Sequence, residues 1–148
     1  MFYMKQAILQ AKKALKYDEV PIGAVLVDSK TGKIMAKAYN KVEKCDATCH
    51  AEILAMKKAC KKLKQNRLRD HDLYVTLEPC AMCAGAISLM RIRNLYFATE
   101  DKKGGAIING VRFFEQKTCH HKPNVNVGLC QEEASTLLKD FFKTKRNK

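Results

Sequence analysis

The sequence predicts a single α/β domain, spanning residues 1–148, in which helices cover both faces of a partly parallel sheet. Short β-rich runs such as "DLYVTLE" and "NLYFA" alternate with segments that show helical periodicity. A helix between two such strands allows them to pair in parallel, which a tight turn does not. The length of 148 residues, with 47% hydrophobic and 29% charged residues, is typical of one soluble globular domain with a substantial core.

The first forty residues predict a helix followed by a β-hairpin. Apolar residues of the amino-terminal segment recur at helical spacing, at Ala7, Ile8, Ala11 and Leu15. "VPIGAVLVD" is an apolar run suited to a buried strand, "SKTG" is a turn, and "KIMAKAYN" alternates as a strand does. Because the amino-terminal segment lacks a continuous apolar stretch and a cleavage-like end, we expect a helix of the mature domain and not a targeting signal.

A polar loop, "KVEKCDAT", separates the hairpin from a second predicted helix. We expect Thr48 or Asp46 to cap this helix, because either side chain can accept a hydrogen bond from its first backbone N–H groups. The apolar face of the helix is predicted to consist of Ile53, Met56, Cys60 and Leu63. The stretch from Lys57 to Arg69 has seven positive and no negative residues, and we interpret it as a solvated face.

The second half of the chain continues the alternation. "DLYVTLE" predicts a strand, "CAMCAGAISLM" a helix of small and apolar residues, and "NLYFA" another strand. The segment from Thr99 to Asn124 has three glycines and no clear period, so we expect a loop with at most a short helix or turn. "VNVGL" predicts an edge strand. Residues 132–145 predict a final helix whose apolar face comprises Ala134, Leu137, Leu138, Phe141 and Phe142.

Positive charge dominates the composition. Twenty-eight Lys and Arg against fifteen Asp and Glu give a formal net charge of +13. Such a field attracts polyanions and is the first property expected of a nucleic-acid-binding protein. No apolar stretch is long enough to cross a membrane. We expect a cytoplasmic protein without disulfides, because the seven cysteines are irregularly spaced and follow no secretory signal.

Three residues have the chemistry and the spacing of metal ligands: His50, Cys80 and Cys83. The two cysteines stand three residues apart at the start of a predicted helix, directly after Pro79, so both sulfurs can point to one side. Zinc favours Cys sulfur and His nitrogen, and a structural zinc site uses four protein ligands. With three ligands, the pattern predicts a catalytic Zn²⁺ site whose fourth position is open to water.

Glu52 follows His50 by two residues, within reach of a water molecule at that open position, and we expect it to act as general base and acid. "HAE" and C-x-x-C are weak signals separately, since C-x-x-C often marks a buried pair or a redox motif. Joined as H-x-E followed by P-C-x-x-C, they match the signature of zinc deaminases.

The remaining cysteines and histidines show no spacing that closes a second convincing metal site. We place Cys60 on the core face of its helix and His71 in a loop. Cys49 lies beside His50 and competes for metal only by breaking the H-x-E register. The others are Cys45, Cys119, His120, His121 and Cys130.

Further stretches extend the match beyond the metal motif. "PIGAVLV", "AYN", "HAEILAM", "LYVTLEPCAMCAGAI", "DKKGGA" and "LLKDFFKTKR" occur in the order seen in bacterial tRNA-specific adenosine deaminases, which the chain resembles over nearly all its length. The resemblance implies a three-layer α/β/α cytidine deaminase-like fold with a central mixed sheet of about five strands. It also implies a homodimer, one Zn²⁺ per chain, and hydrolytic conversion of the wobble adenosine in a tRNA anticodon loop to inosine.

The same resemblance implies contacts with the tRNA anticodon stem-loop. Asn40 would contact the edge of the flipped-out base, and Asp101 would position its ribose and backbone. The terminal helix would meet the stem-loop through Phe141, Phe142, Lys143 and Arg146. Each has a plainer alternative: Asn40 in a turn, Asp101 as a solvated loop acid, and both phenylalanines in the core.

Two other function classes are open at this point. A deaminase of a free nucleobase or nucleotide (guanine, cytosine, cytidine or deoxycytidylate) would share the zinc motif, and its net charge would be incidental. A non-catalytic zinc-containing RNA-binding module would have no need of Glu52. The chain also departs from the family pattern at "IINGVRFF" and at Val42, which bears on the RNA contacts of those loops and not on the zinc chemistry.

Overall fold

The computed structural model describes residues 1–147, in which four α-helices, five strands and one 3-10 turn follow one another. In chain order these are α1 (Phe2–Leu15), β1 (Gly23–Asp28), β2 (Ile34–Tyr39), α2 (Ala51–Leu63), β3 (His71–Leu77), α3 (Ala81–Leu89), β4 (Asn94–Thr99), the 3-10 turn (Phe113–Glu115), β5 (Asn124–Val127) and α4 (Gln131–Arg146). Within residues 1–147, no helix combines the length and the apolar character needed to span a bilayer.

The strands form one mixed sheet in the order β2-β1-β3-β4-β5. β1 is antiparallel to both β2 and β3, whereas β3, β4 and β5 run parallel. Leu73 lies opposite Leu95 and Val75 opposite Phe97, so apolar side chains of neighbouring strands share a face. The predicted hairpin, the parallel pairing across a crossover helix and the edge strand near residue 125 are confirmed.

Helices cover both faces of the sheet. Helices α2 and α3 pack on one face in a buried cluster that includes Met56, Ile87, Leu26, Leu73 and Phe97. Helices α1 and α4 pack on the other, in a cluster that includes Met4, Ala134, Val25, Tyr74 and Ala98. Adjacent strand residues therefore belong to opposite clusters, as the two-residue period of a strand requires. The three-layer α/β/α fold with a five-stranded mixed sheet is confirmed.

Two local predictions are wrong. His71 is the first residue of β3 and not a loop residue; it is buried and lies opposite Asp28 of β1. Neither Thr48 nor Asp46 caps α2, whose N-cap is His50.

The loop before α2 also overturns the expectation that the cysteines form no disulfide. Cys45 and Cys49 are joined by a disulfide, with their Cα atoms 6.1 Å apart. Asp46, between them, accepts hydrogen bonds from the backbone N–H and the hydroxyl of Thr48. The local spacing of a cysteine pair does not show whether the loop folds back on itself, and here it does. The other five cysteines are free.

Candidate active site

His50, Cys80 and Cys83 lie together at the edge of the sheet where β3 ends. The His50 Nδ1 atom is 3.6 Å from the Cys80 Sγ atom and 3.5 Å from the Cys83 Sγ atom. One donor atom from each residue lies within 4.8 Å of the other two. The structure thus places three residues from two separate segments of the chain around one point.

Two helix amino termini create this arrangement. His50 and Cys80 are the N-caps of α2 and α3, and both have extended backbone angles. Their carbonyl groups accept the first helical hydrogen bonds, from the N–H groups of Leu54 and Ala84. The partial positive charge at each helix start favours a thiolate at this point.

The two sulfurs differ in how they hold protons. A hydrogen bond from Cys83, assisted by His50 and opposed by burial, lowers the pKa of the Cys80 thiol to about 4. The same bond, together with burial, raises the pKa of Cys83. Hydrogen bonding to Cys80 in turn raises the pKa of the His50 imidazole above its ordinary value, against the effect of burial.

This donor set fits zinc. With Zn–S bonds of about 2.3 Å and Zn–N bonds of about 2.0–2.1 Å, tetrahedral geometry places sulfur and nitrogen ligands about 3.5 Å apart. The observed separations of 3.5 and 3.6 Å agree with that value. Two sulfurs and one imidazole nitrogen leave the fourth tetrahedral position without a protein ligand.

Glu52 lies at the same helix start, in the first turn of α2, and is 4% exposed. Burial raises the pKa of its carboxyl group, against the lowering effects of its own backbone N–H, the His50 charge and a hydrogen bond with Cys83. A carboxyl group that holds its proton more tightly than usual is suited to exchange protons near neutral pH.

Asn40, the residue after β2, is buried. Its Oδ1 atom accepts a hydrogen bond of 3.1 Å from the backbone N–H of Ala51. Ala51 stands between His50 and Glu52, so Asn40 ties the end of β2 to the first residue of α2. This bond gives a partner to the Ala51 N–H group, which has no acceptor within the helix because it lies in the first turn.

Glu78 is a buried residue that the sequence analysis missed. Its carboxylate accepts hydrogen bonds from the N–H groups of Asp101 (3.0 Å), Ile107 (3.0 Å), Ile108 (2.9 Å) and Asn109 (3.1 Å). The Asn109 side-chain amide donates a further bond of 2.7 Å. Burial acts to raise the pKa of Glu78, but these donors outweigh it and hold the pKa below its ordinary value. The only local signal was an acidic residue next to Pro79, directly before the cysteine motif.

Asp101 is partly exposed and shapes the loop that Glu78 anchors. Its Oδ1 atom accepts hydrogen bonds from the N–H groups of Lys103 and Gly104. It also lines a cavity of about 870 Å³ together with Phe142 and Arg146 of α4. The structure therefore brings three of the predicted RNA-contacting residues to one open surface.

Phe142 corrects the alternative that both phenylalanines belong to the core. It is 44% exposed, whereas Phe141 is partly buried. The fully buried residues of α4 are Ala134 and Leu138, so the stripe that meets the sheet is narrower than the apolar pattern of the helix. Phe142 lies beside this stripe and faces the cavity at Asp101.

One exposed positive residue of α4 is paired with an acidic residue of another segment. Lys145 pairs with Asp18, which follows α1, and its Nζ atom lies 5.6 Å from the centre of the Phe141 ring. Phe141 and Lys145 also line a second cavity, of about 560 Å³, that Asn40 borders. Lys143 is exposed as predicted, and Lys148, also expected on the charged face, lies outside the described residues.

Comparisons with known proteins show which chains this one is similar to. The family model described as MafB19-like deaminase matches residues 1–146. A tRNA-specific adenosine deaminase of Agrobacterium fabrum is 51% identical over 145 residues, which cover 97% of this chain and 94% of that protein. A tRNA-specific adenosine deaminase of Bacillus subtilis is 44% identical over 147 residues, which cover 99% and 90%.

Solved structures extend the comparison. A structure from a study of A-to-I editing by tRNA:A34 deaminases at the wobble position superimposes with a TM-score of 0.90 and 51% identity, covering 93% of this chain and 99% of that chain. A guanine deaminase from Nitrosomonas europaea has a TM-score of 0.75 at 24% identity, covering 94% and 82%. At that identity the second likeness shows the fold alone.

The substitution Glu78→Gln is expected to lower the free energy of unfolding by at least about 3 kcal/mol, because it removes the charge and leaves several buried N–H donors without a partner. Urea unfolding followed by circular dichroism measures this change. Glu100→Gln is the matched control: Glu100 is exposed, and its change should stay within about 0.5 kcal/mol of the parent. Equal stability of Glu78→Gln and the parent would contradict the anchoring role of the carboxylate.

Proposed function

The chain belongs to the MafB19-like deaminase family, among the tRNA-specific adenosine deaminases, and from this membership we propose how its residues carry out the reaction. The protein is an enzyme that hydrolytically deaminates the wobble adenosine in a tRNA anticodon loop to inosine. The observation that carries this function is the 51% identity to such an enzyme over 97% of the chain.

We propose that the His50 Nδ1 atom and the Cys80 and Cys83 thiolates hold one Zn²⁺ per chain. The separations of the three donor atoms support this assignment. A zinc ion bound there supplies Lewis-acid chemistry that makes a water molecule nucleophilic near neutral pH. The two helix starts stabilise the thiolates, and the backbone of each N-cap fixes the direction of its side chain.

Glu52 is the proton carrier in this proposal. Its carboxylate takes a proton from the attacking water as the water oxygen adds to C6 of adenine. The protonated Glu52 gives this proton to N1 of the ring and then carries the second proton, from the new C6 hydroxyl, to the amino group, which leaves as ammonia while the C6 carbonyl of inosine forms. Burial of Glu52, which raises the pKa of its carboxyl group, favours holding the proton between the two transfers.

Asn40 and Asp101 are assigned to substrate positioning. Because the Asn40 Oδ1 atom already accepts the Ala51 N–H, the side chain offers the base its amide N–H donors, which suit a ring nitrogen of adenine. Asp101 borders the cavity that lies beside this site and is assigned to the ribose and backbone of the same nucleotide. An anticodon loop suits such a pocket, since unstacking a base costs least where it is already single-stranded.

The carboxyl-terminal helix is assigned to the anticodon stem-loop. Phe142 and Arg146 line the cavity at Asp101, Phe141 borders the one at Asn40, and Lys143 is exposed beside them. The exposed ring of Phe142 offers an unpaired base a face on which to stack.

We place the enzyme in the cytoplasm, where its tRNA substrate is found.

We also propose a homodimer. α3 contains Cys83 and follows its N-cap Cys80, and its outer surface leaves the apolar side chains of Met82 and Leu89 exposed. A second copy packed against α3 would cover them. The +13 charge of each chain then gives the dimer a positive field suited to RNA.

The activity test compares substrates. Purified protein is incubated with a tRNA anticodon stem-loop and, separately, with free adenosine, cytidine and guanine. Inosine is expected in the stem-loop, detected by nucleoside mass spectrometry, with no ammonia released from the free compounds. Ammonia from guanine or cytidine, with an unchanged stem-loop, would instead identify a deaminase of free bases or nucleosides.

Zinc content tests the ligand assignment. Protein with its Cys45–Cys49 disulfide intact should contain about one zinc per chain, and Cys80→Ser or Cys83→Ser should lose it. Cys119→Ser, which changes a free cysteine outside the three-residue set, should retain it. Elemental analysis measures the ratio, and full zinc occupancy in Cys80→Ser would show that the ligands are other residues.

Glu52→Gln separates proton transfer from metal binding. The variant should keep zinc and stem-loop affinity, while its deamination rate falls by roughly 10² to 10⁴-fold, the usual contribution of general acid–base catalysis. Single-turnover inosine formation gives the rate, and filter binding gives the affinity. Loss of zinc from Glu52→Gln would make Glu52 a ligand, and a parental rate would end its assignment as proton carrier.

Salt dependence tests the role of α4. Lys143→Gln combined with Arg146→Gln should weaken stem-loop binding and make the slope of log affinity against log salt shallower by about 1 to 2 units, since each phosphate contact contributes roughly 0.7 to 0.9. Lys30→Gln with Lys33→Gln removes the same charge from the β1–β2 turn, at the opposite end of these strands from Asn40, and should change the slope little. Equal slopes in both double variants would place the RNA elsewhere, for example along Lys57 to Arg69.

A further inference from the structure

The loop between β2 and α2 brings together a second set of metal-ligating atoms. Cys45, Asp46 and Cys49 each place one ligand atom within 4.8 Å of the other two. No residue of this set belongs to the set formed by His50 and the two cysteines of α3. We propose that, once the Cys45–Cys49 disulfide is reduced, this loop is a second cation site in which two thiolates and the Asp46 carboxylate bind a thiophilic divalent cation such as Zn²⁺.

The backbone of the loop is ordered around these ligands. The Cys45 N–H donates to the Lys41 carbonyl at 2.9 Å, and the Lys41 N–H donates to the Cys49 carbonyl at 3.0 Å. The Cys49 N–H donates to the Asp46 carbonyl, also at 3.0 Å. None of these bonds involves a sulfur atom, so opening the disulfide removes none of them directly. Little further ordering is needed for the two sulfurs to share a cation.

The third ligand is held in place by its neighbour. The Asp46 Oδ1 atom accepts the backbone N–H of Thr48 at 2.8 Å, while the Oδ2 atom lies 3.9 Å from the Cys45 Sγ atom. The carboxylate therefore has one oxygen committed to the loop and the other directed toward the sulfur. Hydrogen bonds from Thr48 hold the pKa of Asp46 below its ordinary value, which keeps the carboxylate ionised.

The second site is separate from the proposed catalytic one, although Cys49 directly precedes His50. His50 has extended backbone angles, φ −73° and ψ 152°, and in extended chain adjacent side chains point to opposite sides. The cysteine side chain of this pair thus turns toward the loop, while the imidazole turns toward Cys80 and Cys83. Two thiolates and a carboxylate are ligands that zinc accepts, with water completing the tetrahedron.

Oxidation closes the site, because a disulfide has no thiolate to offer. With glutathione disulfide as oxidant, the exposed Cys45 thiolate attacks its S–S bond, forms a mixed disulfide and releases one glutathione thiolate. Cys49 then attacks the Cys45 sulfur, forms the internal disulfide and releases the second glutathione. Two electrons pass from the cysteines to glutathione, their two thiol protons go to the solvent or the departing thiolates, and any bound cation is lost.

The test counts zinc in matched redox states of the zinc-loaded protein. After reduction with a phosphine and removal of excess zinc, the parent should hold about two zinc ions per chain, and after glutathione disulfide about one. Cys45→Ser should hold about one in both states. Cys130→Ser, which changes a free cysteine near the other end of the chain, should behave as the parent does.

Two further variants make the outcome independent of the catalytic site and of folding. Cys80→Ser should lose the first zinc yet gain about one on reduction, which separates this proposal from the assignment of His50, Cys80 and Cys83. Asp46→Asn keeps both sulfurs and an acceptor for Thr48, and should bind the second zinc more weakly. One zinc per chain in the reduced, folded parent, or two in reduced Cys45→Ser, would overturn the proposal.

Discussion

The active site depends on one constraint, the packing of α2 and α3 side by side on the same face of the sheet with their amino termini at the same edge. The crossover from β3 to β4 forces α3 to begin directly after β3, so Cys80 and Cys83 always lie at that edge. The hairpin and its following loop deliver His50 to the same place from the other segment. A shift of either helix along its axis would separate the imidazole from the sulfurs.

Two buried carboxylates flank this point and have opposite properties. Burial dominates at Glu52 and raises the pKa of its carboxyl group, whereas backbone N–H donors dominate at Glu78 and lower the pKa of that group. Glu52 is therefore suited to exchange protons. Glu78 remains a negative charge, and its carboxylate accepts hydrogen bonds from backbone N–H groups of the 101–109 loop. The same carboxyl group thus has a raised pKa on one side of the two cysteine sulfurs and a lowered pKa on the other, because the local hydrogen-bond donors differ.

Two neighbouring positive residues near the end of α4, Lys145 and Arg146, line the cavities around the pocket. Lys145 is neutralised by Asp18 and lies over Phe141, which joins α4 to the end of α1 beside Asn40. Arg146, one residue further on, lines the cavity at Asp101. Neighbouring positive residues of one helix therefore have different surroundings: Lys145 pairs with Asp18 at the wall of one cavity, and Arg146 lines the other.

The sequence by itself determined the strands, the helices and the H-x-E and P-C-x-x-C residues, because hydrophobic period and ligand spacing are local properties. It also determined the family, since the matching stretches run along nearly the whole chain. Tertiary structure alone decided which side chains of different segments meet. Glu78 became an anchor because a loop more than twenty residues later folds onto it. The Asn40 side chain is buried where it accepts a hydrogen bond from the N–H of Ala51. Phe142 is exposed because the sheet covers only a narrow stripe of α4. Cys45 and Cys49 are joined because the loop that contains them closes. The contacts of Asn40 and Glu78 join residues 11 and 29 positions apart, and such separations carry no periodic signal. Cys45 and Cys49 are only four positions apart, but their spacing does not show whether the loop closes.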